Sequence, residues 1–269
     1  YGQSCCGYAG WISSKLDVEI EVVYFTDLRQ FEVPFVADLS GSLGLQPFQS
    51  VMGQLQELEK EKSEVILAQA ASQLKESGYS NPVKKTHKTG FLVDSLKELE
   101  EGTDMIIVGK RGENANFATE HLGSTMERMA RAATKPSFVA SREFKEVSRV
   151  LISYDDGPSC RKAVDFVAES GMFSEAEIHL VTVSPNEEEE GSLKGLKNAE
   201  AILADSGRSL TCQMLHGEAA PIVIDYVNAK EINLLVMGAY GHNRIRQLIL
   251  GSSTTELLQG CQIPTLLFR

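Results

Sequence analysis

LVMGAYGHNRIRQLILGSSTTELLQGCQIPTLLF, Leu235 to Phe268, runs from an apolar strand through spaced glycines and a helix to a Pro-led apolar strand. An earlier stretch, IIVGKRGENANFATEHLGSTMERMARAATKPSFVA, Ile106 to Ala140, repeats it. Gly109 answers to Gly238 and Gly112 to Gly241, 129 residues apart. Gly123 answers to Gly251, Ser124 to Ser252 and Pro136 to Pro264, 128 residues apart. One residue has slipped in the variable loop between the glycines. The period is far too long for a solenoid unit and is the size of a whole domain. The chain therefore reads as two homologous domains in tandem, residues 1–141 and 142–269. The short polar segment SREFKEVSR, Ser141 to Arg149, suits the linker between them.

The length of 269 residues agrees with this division, at a prior of ~150 residues per domain. Hydrophobic residues at 42% and charged residues at 23% exclude a disordered chain. Acidic side chains outnumber basic ones, 37 to 26, for a formal net charge of −11. Such a surface repels phosphate backbones and argues against nonspecific nucleic-acid or anionic-membrane binding. A local phosphate site remains open, because backbone N–H groups bind phosphate without net positive charge. No apolar run approaches the ~18 residues of a membrane span. The start, YGQSCCGYAGW, has neither the basic nor the apolar region of a signal peptide. Cys5, Cys6, Cys160, Cys212 and Cys261 are odd in number and form no CxxC pair. They read as free thiols in a reducing cytosol, so a cytoplasmic location is expected.

Elements in the second copy are clearly punctuated. RVLISYD (Arg149 to Asp155) is an apolar strand ending in the turn-rich DDGPS. CRKAVDFVAES follows with Ala163, Phe166 and Val167 on one helical face. EIHLVTV, LTCQMLHG, INLLVMGAYG and PTLLF are further strands, and helices fall between them. The order βαβαβαβαβ implies an α/β fold, a doubly wound parallel five-stranded sheet in each copy. Ligands in such sheets sit beyond the carboxyl ends of the strands. The first copy keeps the order with two departures. Its connection from Thr26 to Ser50 is much longer. Setting EVVYF against HLVTV also aligns Tyr1 with about Ser159, so the first strand of domain one is expected to be missing from the chain as given. Tyr8, Trp11 and Ile12 make a core stripe on the first helix.

The chemistry is carried by G-x2-G-x9-G-S, at Gly238, Gly241, Gly251 and Ser252. A strand ending in Gly leaves room for a phosphate against the backbone. Successive N–H groups in a Gly turn form an anion nest. Gly251 and Ser252 add the N–H groups of a helix start and a hydroxyl. Glycines also end strands and cap helices for purely structural reasons. The recurrence at Gly109, Gly112, Gly123 and Ser124 favours the phosphate reading. Neither a Walker A loop nor a GxGxxG fingerprint is present.

Both motifs, the order of elements and the Pro-led last strands PSFVA and PTLLF resemble the universal stress protein family in tandem. GAYGHNRIRQLILGSS matches that family's motif fully, and GKRGENANFATEHLGST carries one extra residue. The resemblance implies binding of ATP, or ADP or AMP, a pairing of domains through their last strands, and a role in stress survival or regulation. It implies that Asp155 lies at the adenosine end and that Val183 meets adenine through its backbone. Met237 and Gly238 would line the ribose and α-phosphate, with Gly241, Gly251, Ser252 and Ser253 on the phosphates. In the first copy Phe25 stands for Val183, and Val108, Gly109, Gly112, Gly123, Ser124 and Thr125 match the phosphate side.

His121 and His242 lie inside the motifs and read as solvated loop residues. Lys110, Arg111, Arg244 and Arg246 read as exposed charges that could also neutralise a nucleotide. Glu187 to Glu190 form a solvated acidic run. No Ser-His-Asp elbow, HExxH or repeated carboxylate pair is present, and any Mg²⁺ would be held mainly by triphosphate and water. Binding with slow or no hydrolysis is therefore expected. The alternatives are a slow Mg²⁺-dependent ATPase, or a nucleotide-free scaffold whose Thr26 to Ser50 connection meets a protein partner or an apolar ligand. Whether two chains form a homodimer is left open, with the last strands of both copies as candidate edges.

Overall fold

The computed structural model describes residues 1–28, 47–111, 122–185, 190–239 and 251–269, with the backbone alone at 47–52 and 190. The first half runs α1 (Gly2–Lys15), β1 (Glu21–Asp27), α2 (Pro47–Glu76), β2 (Lys84–Gly90), α3 (Leu92–Glu100), β3 (Ile106–Gly109), α4 (Ser124–Ala132) and β4 (Ser137–Ala140). The second runs β5 (Arg149–Ser153), α5 (Pro158–Glu169), β6 (Glu177–Ser184), α6 (Glu190–Ala204), β7 (Leu210–His216), α7 (Ala219–Ala229), β8 (Leu234–Gly238), α8 (Ser252–Gly260) and β9 (Thr265–Phe268). The alternation read from the second copy is reproduced element by element. Most of the long connection after β1 lies outside the described residues, and its last residues already belong to α2.

Local sequence explains these elements. Val150, Leu151 and Ile152 are buried in succession, as a central parallel strand covered on both faces requires. Pro158 starts α5, where its missing N–H costs no hydrogen bond. Ala163, Val164 and Val167 turn inward from that helix, and Phe166 packs beside them half-buried.

The large sheet has the order β3-β4-β9-β8-β5-β6-β7. Its pairs are parallel except one, β4 with β9, where Phe138 faces Leu266. The five strands of the second half form the expected parallel sheet. The last strands are not free edges for a second chain, as the sequence suggested, because they pair with each other. The edges of the large sheet are β3 and β7.

The first half departs from five strands. β5 pairs with both β6 and β8. Among the described residues, the strands that match β6 and β8, namely β1 and β3, have no such strand between them. β1 and β2 form a separate parallel sheet, and β3 with β4 joins the large one. Burial follows the split: Leu234 to Met237 of β8 are buried, whereas all four residues of β3 are only half-buried. Among the described residues the first half thus contributes four strands, two to each sheet.

α1 ties the halves together. Tyr8, Trp11 and Ile12 share one core with Phe138, Val150, Phe173 and Phe268. The Tyr8 ring lies 4.9 Å from that of Phe138. Its hydroxyl is 3.0 Å from Ser141 Oγ and accepts the Lys145 N–H at 3.3 Å. Tyr8→Phe keeps the ring and takes the acceptor from the Lys145 N–H, while Ser141 Oγ keeps its bond to Glu143 O, so it is expected to cost about 1 kcal/mol. Chemical denaturation checks this, with an unchanged midpoint as the contrary result.

Candidate functional site

The strand order reverses direction between β5 and β8, which makes the crevice at their carboxyl ends the expected ligand position. Two helices begin there. α5 follows β5 after a tight turn, and α8 starts close to the end of β8. Thr254 Oγ1 in the first turn of α8 donates to the Ala239 carbonyl at 3.3 Å. Both helices have a glycine at the N-cap, Gly157 and Gly251, so neither N-cap residue supplies a side-chain oxygen of its own. The positive ends of two helix dipoles thus flank one strand end.

Gly238 sits between them. A Cβ on it would lie 3.0 Å from Cys160 Sγ and 3.1 Å from Ser159 Cβ. The reason for glycine here is therefore the close approach of α5, at least as much as room for a phosphate. Gly251 differs. Its φ of −58° and ψ of 147° suit any residue, and among the described residues a Cβ would meet only Thr254 Oγ1 at 3.4 Å. Ser252 and Ser253 are exposed at the start of α8. Met237 is buried in the core beneath.

Asp155 is exposed in the turn after β5, and its Oδ1 accepts the Gly157 N–H at 2.8 Å. Asp156 beside it adopts a φ of 60° and turns the other way. Its Oδ1 accepts from Tyr154 Oη at 2.8 Å and from Arg161 Nε at 3.0 Å. The turn thus separates the aspartates: Asp156 fastens α5 through Arg161, and Asp155 holds the N–H of the N-cap residue Gly157. Cys160 is buried under this turn. Burial first, and the Asp155 charge second, hold its thiol far above its ordinary pKa. It stays protonated and unreactive near neutral pH.

Val183 is half-buried against the core near the end of β6. Glu177 N donates to Ser148 O, and Tyr154 N donates to Val181 O. Backbone groups of alternate residues on β6 therefore turn toward β5. Val183 continues that series where β5 has already left the sheet. Its N–H and C=O face the crevice, as a backbone contact to a flat base would need.

The first half repeats the plan with different contents. A Cβ on Gly109 would lie 2.7 Å from Tyr1 Cβ, as Gly238 stands to Ser159, which matches the alignment of Tyr1 with Ser159. Ser124 and Thr125 are exposed at the start of α4. The Gly123 N–H is already donated to Lys110 O at 3.1 Å, so it is not free for a phosphate as the motif suggested. Phe25 and Val108 are half-buried against the α3 and α4 side. Arg128, four residues after Ser124, pairs with Asp27 at 3.0 Å, a contact that sequence spacing did not flag. Lys110 corrects the sequence reading most plainly. It is buried rather than exposed, and its Nζ donates to the Cys261 carbonyl. Gly112, Gly241, His121, His242, Arg244 and Arg246 lie outside the described residues.

Among the described residues, no group of three or more His, Cys, Asp or Glu is placed to hold a metal ion. Nor is any described helix long and apolar enough to cross a membrane.

Residues 146–269 match the Universal stress protein family. Universal stress protein Slr1230 of Synechocystis is 38% identical over 276 residues, covering 100% of this chain and 96% of its own. The crystal structure of a universal stress protein from Archaeoglobus fulgidus superposes with a TM-score of 0.72 at 20% identity, covering 98% of this chain and 92% of that one. A second universal stress protein of Archaeoglobus fulgidus, solved in complex with dAMP, covers 46% of this chain and 98% of its own, with 17% identity and a TM-score of 0.37. With a full-length relative at this identity and the same tandem architecture throughout, the chain belongs to the universal stress protein family.

Proposed function

We propose that the chain binds an adenine nucleotide, ATP or its ADP and AMP forms, at the crevice of the second half. It would act there as a regulatory or stress-response protein with slow or no hydrolysis. The observation that carries this reading is the start of α8. Its N-cap is a glycine, which supplies no capping oxygen of its own, and Ser252 and Ser253 are exposed beside the reversal in strand order. The phosphates would take the Ser252 and Ser253 N–H groups and hydroxyls. The ribose would reach the exposed Asp155, and adenine the backbone of Val183. Gly238, over the buried Met237, leaves the strand end open between them, and Gly241 would complete the phosphate loop. Mg²⁺ would arrive with the triphosphate, held by phosphate oxygens and water.

The first half is the weaker candidate. Gly123 has spent its N–H on Lys110, and Tyr1 lies against Gly109. A protein partner is favoured by one separate feature: α2 exposes Leu55, Leu58 and Val65. The free thiols suit a reducing, cytoplasmic setting.

Protein purified without added nucleotide and then denatured is expected to release adenine nucleotide, identified by ion-pair chromatography. Protein that releases none, and gives no heat on titration with millimolar ATP, would falsify the proposal.

A further inference from the structure

α8 begins at the candidate anion site and is capped at its other end by Cys261. The Cys261 carbonyl accepts a hydrogen bond from Lys110 Nζ, a residue of the opposite half. The backbone of Lys110 is equally engaged. Its N–H donates to Ala140 O at 3.1 Å, and its carbonyl accepts the Gly123 N–H at 3.1 Å. One residue therefore holds the end of one motif helix, α8, by its side chain and the N-cap of the other, α4, by its backbone. Lys110 is only 6% exposed. A buried cation is costly, and the carbonyls and dipole of a helix C-terminus are a setting that offsets part of the cost.

The link is one-sided. The counterpart of Lys110 is Ala239, which keeps the backbone bond, to Phe268 O at 2.8 Å, and has no side chain to reach α4. The last turn of α4 is held by another residue, Arg269, whose Nη1 donates to Arg131 O at 2.8 Å.

We propose that Lys110 is a positioning residue for the second-half nucleotide site, acting through α8 and coupling that site to the start of α4. The proposal rests on the nucleotide reading above. The ammonium fixes where α8 ends, and a rigid helix of nine residues passes that placement to Ser252 and Ser253. Displacing Gly123 at the start of α4 shifts the Lys110 peptide and with it the hold on α8.

Burial lowers the Lys110 ammonium to about 8, and the neighbouring Arg111 charge acts in the same direction. The Cys261 thiol faces it from α8 and is raised by burial to about 11, so it stays neutral while Lys110 titrates. Raising the pH through this range discharges Lys110 and loosens its grip.

ATP titration calorimetry on the full chain tests the proposal, with Lys110→Met, Ser252→Ala and the double variant across this pH range. Lys110→Met is expected to bind about ten-fold more weakly near neutral pH. The unaltered chain is expected to lose affinity as the pH rises through Lys110, and Lys110→Met to show no such slope. The double variant is expected to lose less affinity than the product of the two single losses, because both changes act on one helix start. Thermal stability of Lys110→Met is expected to match or exceed that of the unaltered chain, since an apolar side chain replaces a buried charge. Unchanged affinity in Lys110→Met overturns the coupling alone, as does an affinity loss that merely tracks a fall in stability. Failure of the unaltered chain to bind ATP overturns the nucleotide reading and this inference with it.

Discussion

Gly251→Asp is expected to abolish ATP binding while leaving the chain as stable as before, or slightly more so. The two effects come from the same atoms. Gly251 is the N-cap of α8, with backbone angles that any residue adopts and, among the described residues, only Thr254 Oγ1 at 3.4 Å from an added Cβ. Aspartate is among the best N-cap residues, and relative to glycine it contributes a few tenths of a kcal/mol to the helix. Its carboxylate would take the N–H groups that the phosphates need. It would also place a negative charge about 4 Å from them, which at an effective dielectric near 20 is worth about 4 kcal/mol per unit charge. That corresponds to a loss on the order of a thousand-fold in affinity. Calorimetry and a thermal melt on the same sample check both halves of the expectation. Undiminished binding would show that the phosphates lie elsewhere.

Gly238→Val is expected to fail in a different way, through the fold. The added carbons meet Ser159 and Cys160 at the start of α5, including the Cys160 backbone N at 3.4 Å. Both walls are fixed: Cys160 is buried, and its Sγ donates to Ser153 O at 3.4 Å. Overpacking of this kind costs roughly 3 kcal/mol. α5 would be pushed off the sheet together with the turn that carries Asp155. A denaturation midpoint well below that of the unaltered chain is expected, with ATP binding weakened as a consequence. A Gly238→Val chain of full stability would mean that α5 does not approach the strand end this closely. The two results together would separate two glycines of one motif, Gly238 acting through packing and Gly251, on the proposed reading, through the ligand.

Much of this was legible in the sequence because the repeat supplied its own control. The buried run Val150 to Ile152, the turn at Asp155 to Gly157 and the glycine ends of β3 and β8 each follow from local chemistry. The alignment of Tyr1 with Ser159 reappears as two matching contacts, on Gly109 and Gly238. The long-range pairing was not legible from periodicity. Nothing in PSFVA or PTLLF says that β4 and β9 run antiparallel to each other; only the family resemblance implied the pairing. Lys110 was misread for a related reason. A lysine between two glycines looks like a solvated loop charge, and its burial depends on the end of a helix 151 residues away. The roles of the two aspartates were likewise undecided, because they hinge on the positive φ of Asp156.

On the proposed reading, the first N–H groups of α8 hold nucleotide phosphates. Amide NMR of the full chain titrated with ATP reads those groups one by one. The Ser252 and Ser253 amides are expected to shift progressively and to saturate together with Val183, and to stay unmoved in Gly251→Asp. Saturable ATP binding that leaves the Ser252 and Ser253 amides where they began would place the phosphates away from the start of α8.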